Sequence, residues 1–352
     1  MERNLMKGNE ALAEAAIRAG CKCFFAYPIT PQTEVAAYLA KNMKKREITF
    51  LQAESEIAAV NMVLGASSAG VRTMTSSSSP GISLKSEGVS YLAGSDLPAV
   101  IVNVQRGGPG LGSIQPSQSD YWQATKALGH GDFQLIVFAP ASVQETVDMT
   151  IRAFEEADRY RMPVMILTDG FLGQMMEPVS FADPVTDVAE KDWAASGHRN
   201  GRKHNIINSL FLEPDELEKN VNERYKRYDI IKENIHEAES YKCEDAEIVL
   251  AAYGTTARVA KSAVNQARAM GIKAGLFRPK TLWPFPAAEL KEACANAKTV
   301  LSVEMSQGQM VEDLRIALDC RIPVEFYGRH GGNIPSPAEV LDQIVKISER
   351  RG

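Results

Sequence analysis

The chain has 352 residues, 45% of them hydrophobic and 24% charged, the profile of a soluble globular protein with enough core for two domains. A formal net charge of −5 argues against a nucleic-acid partner. No apolar run approaches the roughly 20 residues that span a bilayer, and Met1-Glu2-Arg3-Asn4 leads straight into an amphipathic helical pattern, so no membrane partner and a cytoplasmic location are expected.

The first apolar strand, Cys23-Phe24-Phe25-Ala26, ends in the loop Tyr27-Pro28-Ile29-Thr30-Pro31. Each proline fixes its own φ and pushes the residue before it towards extended geometry, so the loop is stiff enough to hold a hydroxyl in place. Further strand candidates are 48–53, 72–76, 99–105, 134–139 and 163–168, with helical patterns between most of them. The clearest helix is 142–160, where Val143, Val147, Ile151, Phe154 and Ala157 recur at helical spacing after a serine cap. Strands alternating with helices predict a parallel sheet covered on both faces, with ligands at the carboxyl ends of the strands.

Residues 178–245 differ. A polar stretch, 183–208, reads as a connecting excursion, and Leu217, Val221, Tyr225, Tyr228, Ile231 and Ile235 then mark a long amphipathic helix. Its apolar stripe packs on the body of the protein or docks another subunit. From Glu247 the alternation restarts, with strands at 247–252, 273–278, 299–304 and 323–327 and a last helix over 338–350. The expected organisation is a first α/β domain over 1–177, a connector over 178–245 and a smaller α/β domain over 246–352.

If the first sheet is parallel, four strand ends share one edge. They bring Thr30, the Glu54-Ser55-Glu56 start of a helix, the turn Ser76-Ser77-Ser78-Ser79-Pro80-Gly81, and Arg106 before Gly107-Gly108-Pro109-Gly110-Leu111-Gly112. A hydroxyl, a carboxylate, a serine-rich turn and a guanidinium on one edge suit a small-molecule site. Each also has a plainer explanation. Glu56 would favour a helix dipole, the serines would cap a helix, and Arg106 would be a strand-end charge. Competing chemistries find less support. The glycine loop lacks the Gly-Lys-Ser/Thr of a phosphate-binding loop, no Gly-x-Ser-x-Gly elbow is present, and His198 and His204 fall in the connector. His130 reads better as a turn residue than as a base. The five cysteines, Cys21, Cys23, Cys243, Cys294 and Cys320, are odd in number and widely spaced, which argues against a disulfide framework and against a four-cysteine cluster in any usual local spacing.

Taken in order, Tyr27-Pro28-Ile29-Thr30-Pro31, Glu54-Ser55-Glu56, the serine turn into Pro80-Gly81, and Asn103-Val104-Gln105-Arg106-Gly107-Gly108-Pro109 resemble the alpha subunit of 2-oxoacid:ferredoxin oxidoreductases. The stretch 254–286, with Arg278-Pro279 and Trp283-Pro284-Phe285-Pro286, is similar to the transketolase C-terminal-type domain of that subunit. Pro31-Gln32-Thr33-Glu34, Gln52-Ala53-Glu54-Ser55-Glu56 and Gly108-Pro109-Gly110-Leu111-Gly112 look most like the branched-chain enzyme, which acts on 2-oxoisovalerate. The 2-oxoglutarate subtype has Ser-Thr where this chain has Gly110-Leu111.

The resemblance implies a pyrimidine-binding thiamine diphosphate domain and, residue by residue, a site. Glu56 would bind the pyrimidine ring nitrogen remote from the amino group and favour the imino tautomer. Thr30 and Arg106 would contact the 2-oxoacid, and Pro28 and Ser78 would line the cofactor pocket. It further implies coenzyme A as acyl acceptor and ferredoxin as electron acceptor. Magnesium, the diphosphate site and the iron–sulfur (4Fe-4S) clusters would be carried by beta and delta subunits, with a gamma subunit completing the complex. Pyruvate or 2-oxoglutarate enzymes, a lipoamide-linked dehydrogenase or transketolase-type component, and a non-catalytic scaffold are the alternatives.

Overall fold

The computed structural model describes residues 3–198 and 201–350. The chain opens on a strand, β1 (Asn4–Lys7), before the expected helix α1 (Gly8–Arg18). The alternation follows as β2 (Cys23–Ala26), α2 (Thr33–Arg46), β3 (Thr49–Gln52), α3 (Glu56–Ser68), β4 (Thr73–Ser77), α4 (Ser79–Gly94) and β5 (Ala99–Gln105). After a short π-helical turn (Gln123–Ala127) come β6 (Ile136–Phe138), α5 (Val143–Tyr160), β7 (Pro163–Asp169), α6 (Gly170–Gln174) and β8 (Met176–Val179). The connector carries α7 (Pro214–Asn234). The second half runs β9 (Ala238–Tyr241), β10 (Ile248–Ala251), α8 (Gly254–Ala269), β11 (Ala274–Pro279), β12 (Thr281–Trp283), α9 (Ala287–Ala293), β13 (Thr299–Glu304), α10 (Met310–Ala317), β14 (Val324–Gly328) and α11 (Pro337–Glu349).

The larger sheet has the order β12-β6-β7-β5-β4-β2-β3 and is parallel except for β12. Its central strands are buried on both faces, and alternate side chains enter different cores. In β5, Ile101 faces one core while Val100, Val102 and Val104 face the other; in β7, Met165 and Leu167 oppose Val164 and Ile166. One core takes its helical side chains from α1, α2, α5 and α7. The other takes them from α3 and α4 and continues without a break to Val249, Ala251, Phe277 and Met310 of the second half. There the order β14-β13-β10-β11-β9 makes a second sheet, with α8 and α11 on its far face.

Four strands fall outside the expected alternation. β1 pairs antiparallel with β8, β9 pairs antiparallel with β11, and β12 crosses from the second half to pair with β6. Trp283 on β12 meets the ring of Tyr228 edge-on at 5.6 Å. Tyr228 and Ile231 of α7 are buried on the first sheet, whereas Leu217 is exposed, so only the C-terminal half of the amphipathic stripe packs on the body. No helix among the described residues is long and apolar enough to cross a membrane.

α3 and α4 cross closely at Gly88, where an added Cβ would stand 2.4 Å from Val60 Cγ1. Val60 is β-branched, buried and short of alternative rotamers. Gly88→Ala should therefore destabilise the fold by about 1–3 kcal/mol through overpacking, partly offset by helix propensity. Urea denaturation checks this, and an unchanged midpoint would show that the two helices separate without cost.

Candidate active site

The carboxyl ends of β2, β3, β4 and β5 lie on one edge, as their shared direction requires. Ser55 caps α3 by accepting from the Ala58 N–H at 3.1 Å, which makes Glu56 the first helical residue. Glu56 is only 6% exposed, yet no described residue donates a hydrogen bond to its carboxylate. That carboxylate lies against the start of α4. A Cβ on Gly81 would come within 2.1 Å of Ser77 Oγ and 2.6 Å of Glu56 Oε1, so glycine is required for the close approach.

The serine turn is buried throughout. Ser78 holds the N-cap position of α4 but its hydroxyl makes no capping bond, and both Ser77 Oγ and Ser78 Oγ are buried without a partner. Ser79 is bonded instead. Its backbone N–H donates to Asn103 Oδ1 at 3.1 Å and its hydroxyl to Asp120 Oδ2 at 2.6 Å, while Asn103 Nδ2 donates to the same carboxylate oxygen at 2.9 Å. Burial raises the Asp120 pKa, against the two hydrogen bonds that lower it. The Arg106 backbone N–H donates to Ser79 Oγ at 3.0 Å, which fastens the end of β5 to the start of α4.

Arg106 is 6% exposed. Its Nη1 donates to the Thr30 carbonyl at 2.9 Å and its Nη2 to the Leu111 carbonyl at 3.2 Å, while Nε is buried without a partner. The Thr30 side chain is exposed, and Pro28 is exposed on the same loop. The loop is anchored from behind: Asn9 Nδ2 donates to the Pro31 carbonyl at 2.8 Å, and the buried Gln32 accepts from Ser76 Oγ. Thr30 is thus tied directly to Arg106, and Ser78 adjoins the Glu56–Gly81 contact through the same turn. Pro28 is placed only by sharing the loop. A cavity of about 580 Å³ opens beside Thr30, lined by Pro31, Ile114, Phe171, Met175 and Ile334 among others and by no lysine or arginine.

These residues fit the pyrimidine half of thiamine diphosphate. The ring nitrogen calls for a carboxyl with no competing donor, which Glu56 supplies, and the unpartnered hydroxyls of Ser77 and Ser78 are polar groups available beside it. Arg106 has no acidic partner among the described residues, and its Nε and remaining Nη hydrogens suit a carboxylate. Among the described residues no group of three or more His, Cys, Asp or Glu side chains could hold a metal ion.

Sequence reasoning missed two contributors to this edge and one buried charge close by. Asn103 and Asp120 fix Ser79, and no local pattern announces a knot between residues so far apart. Lys85 is completely buried on α4. Its signal was present: it falls in phase with Ile82, Val89 and Leu92 on the core face of the helix.

Residues 14–253 match the family model "Pyruvate flavodoxin/ferredoxin oxidoreductase, thiamine diP-bdg", and residues 246–340 match "Pyruvate:ferredoxin oxidoreductase core domain II". The chain is 50% identical over 349 residues to ketoisovalerate oxidoreductase subunit VorB of Methanothermobacter marburgensis, covering 99% of each. It is 36% identical over 377 residues to 2-oxoglutarate synthase subunit KorA of Methanothermobacter thermautotrophicus, again covering 99% of each. Among solved structures, the 2-oxoglutarate:ferredoxin oxidoreductase of Magnetococcus marinus superposes with a TM-score of 0.87 at 30% identity, covering 98% of this chain and 65% of that one. A split-gene transketolase, at a TM-score of 0.60 and 17% identity, shares the fold. The chain belongs to the 2-oxoacid:ferredoxin oxidoreductases, a thiamine diphosphate-dependent family, as an alpha subunit.

Proposed function

We propose that this chain supplies the pyrimidine-binding half of the active site of a branched-chain 2-oxoacid:ferredoxin oxidoreductase. The complex would convert 2-oxoisovalerate and coenzyme A to the acyl-CoA, carbon dioxide and reduced ferredoxin. The observation that carries the reading is the buried carboxylate of Glu56, held without a donor on the edge where Arg106 also ends. Thiamine diphosphate, when bound, supplies the nucleophilic carbon and the electron sink for decarboxylation. The Glu56 carboxylate shares a proton with the pyrimidine ring nitrogen. Arg106 and the Thr30 hydroxyl orient the substrate carboxylate, and Pro28 and Ser78 line the cofactor's side of the site.

The branched-chain assignment is supported by the higher identity to the ketoisovalerate subunit than to the 2-oxoglutarate subunit. It is also supported by the cavity beside Thr30, whose lining has apolar side chains and no cation to meet a second substrate carboxylate. The partners proposed are a beta subunit bringing the diphosphate site, magnesium and a 4Fe-4S cluster, a ferredoxin-like delta subunit with further clusters, and a gamma subunit. In keeping with a covering partner, Tyr27, Leu51, Ile57, Leu84 and Leu111 are exposed on the loops, the edge strand β3 and the helices at this end of the sheet. A division at 1–177, 178–245 and 246–352 remains our proposal for the domains, with β12 exchanged between the outer two.

In the assembled complex, reduction of a viologen dye should depend on 2-oxoisovalerate and coenzyme A and be weaker with 2-oxoglutarate; preference for 2-oxoglutarate would overturn the substrate assignment. Glu56→Gln should lower turnover by at least ~100-fold while leaving the melting curve in place, since it keeps shape and loses the proton-sharing role. A scaffold subunit would tolerate that change. Arg106→Ala should raise the KM for the 2-oxoacid roughly 10- to 100-fold, the loss of a charge-assisted carboxylate contact. Steady-state kinetics on the purified complex measures both.

A further inference from the structure

Lys85 has no role in the site described above, yet it is one of the largest fully buried side chains in the molecule. Among the described residues its ammonium has one hydrogen bond, from Nζ to the Glu56 carbonyl at 3.4 Å. A lysine carries three donors and is rarely buried without a counter-charge. Burial pushes its pKa down to about 8, against the Glu56 charge that holds it up. The other titratable groups around α4 are engaged elsewhere. Asp120 is held by Ser79 and Asn103, Glu87 accepts from Tyr91, and His130 packs edge-on against the Tyr91 ring. Lys85 stands about one turn after Gly81 on α4, the residue whose added Cβ would meet Glu56 Oε1 at 2.6 Å, and its ammonium bonds the Glu56 carbonyl, so the charge lies on the side of α4 that meets Glu56.

We propose that Lys85 is a positioning residue that acts through Glu56: its positive charge, set beside Glu56 between α3 and α4, biases the proton that the carboxylate would share with the pyrimidine ring nitrogen towards that nitrogen. The inference rests on the reading of Glu56 as the group that meets that nitrogen. Proximity alone gives the direction. A cation near a carboxylate favours its charged form, and a buried cation is little screened. With Lys85 uncharged or absent, the proton moves from the ring nitrogen to the carboxylate, and no other bond is made or broken. A merely structural lysine would fill the space between α3 and α4, and an apolar side chain of equal length would replace it.

The test uses the assembled complex loaded with thiamine diphosphate isotopically labelled at that ring nitrogen, whose NMR shift reports whether it bears the proton. Lys85→Met keeps length and removes charge. It should shift the resonance towards the unprotonated form and lower turnover about tenfold, the loss of one nearby charge's influence on the shared proton, with the substrate KM unchanged. Adding Lys85→Met to Glu56→Gln should change neither readout further, because its effect passes through the carboxylate. In the unaltered complex, raising the pH through about 8 should reproduce the shift as the ammonium discharges. That measurement decides the matter if Lys85→Met fails to fold. If Glu56→Gln alters the resonance and Lys85→Met does not, or if the two effects add, Lys85 is structural and the proposal is overturned. If Glu56→Gln leaves the resonance and turnover unchanged, the reading of the site itself fails and the proposal falls with it.

Discussion

A carboxylate buried without a hydrogen-bond donor, next to a lysine buried with only one acceptor, is the constraint on which this site depends. Either group alone would cost several kcal/mol to bury. Together they reduce that cost, and the backbone reduces it further, because Glu56 stands in the first turn of α3 and against the start of α4, where helix dipoles favour negative charge. The arrangement works only if the two helix starts stay in contact. Gly81 permits that contact, and Gly88 repeats it about two turns along the same face of α4, where Val60 fills the space a side chain would need. The two glycines set the spacing of α3 and α4, and through it the position of Glu56.

The rest of the edge is held by polar bonds between elements distant in sequence. Ser79, Asn103 and Asp120 lock β5 to α4, and Arg106 reaches from that lock to Thr30. The second half of the chain holds the same segment from the other side. Gln118 receives Met305 N–H and Thr256 Oγ1 on its side-chain oxygen and donates to the Tyr253 carbonyl, and Tyr121 donates to Asp313 at 2.6 Å. Asp169, at the end of β7, accepts from Thr255 in α8. Each of these groups is satisfied by a partner across the boundary between the sheets, so the loop after Arg106 is fixed by both. With one apolar core running through both halves, the edge moves as a single rigid support.

Much of this was legible in the sequence, and the reasons differ by element. The parallel strands showed because each is a short apolar run between helical patterns, and Ser55 with Glu56 showed because a capping serine before an acidic first turn is a local signal. β12 did not show: Thr281-Leu282-Trp283 is three residues long and pairs with β6, which lies more than 140 positions earlier in the chain. β1 was read into the following helix because Asn4–Lys7 is mixed in polarity and gains its partner, β8, only after the whole first sheet has been laid down. Lys85 was hidden for the opposite reason. Its position was readable but its residue type was not, since a charge on the core face of a helix has meaning only once the neighbouring carboxylate is known.

The unpartnered atoms of the edge have a common consequence. Ser77 Oγ, Ser78 Oγ and Arg106 Nε are buried without partners, and Glu56 without a donor. A folded chain pays for such groups unless something binds them. A ligand that supplies a ring nitrogen to Glu56 and a carboxylate to Arg106 removes that penalty in the folded state alone, because the unfolded chain holds no such site. Binding and folding are thereby linked. The exposed apolar side chains around the same edge extend the argument to a protein partner, since Leu51, Ile57 and Leu84 lose water only when another surface covers them. A bound ligand and a covering surface would thus favour the same state of this chain, the one in which the Glu56 carboxylate and the apolar side chains around it are both covered.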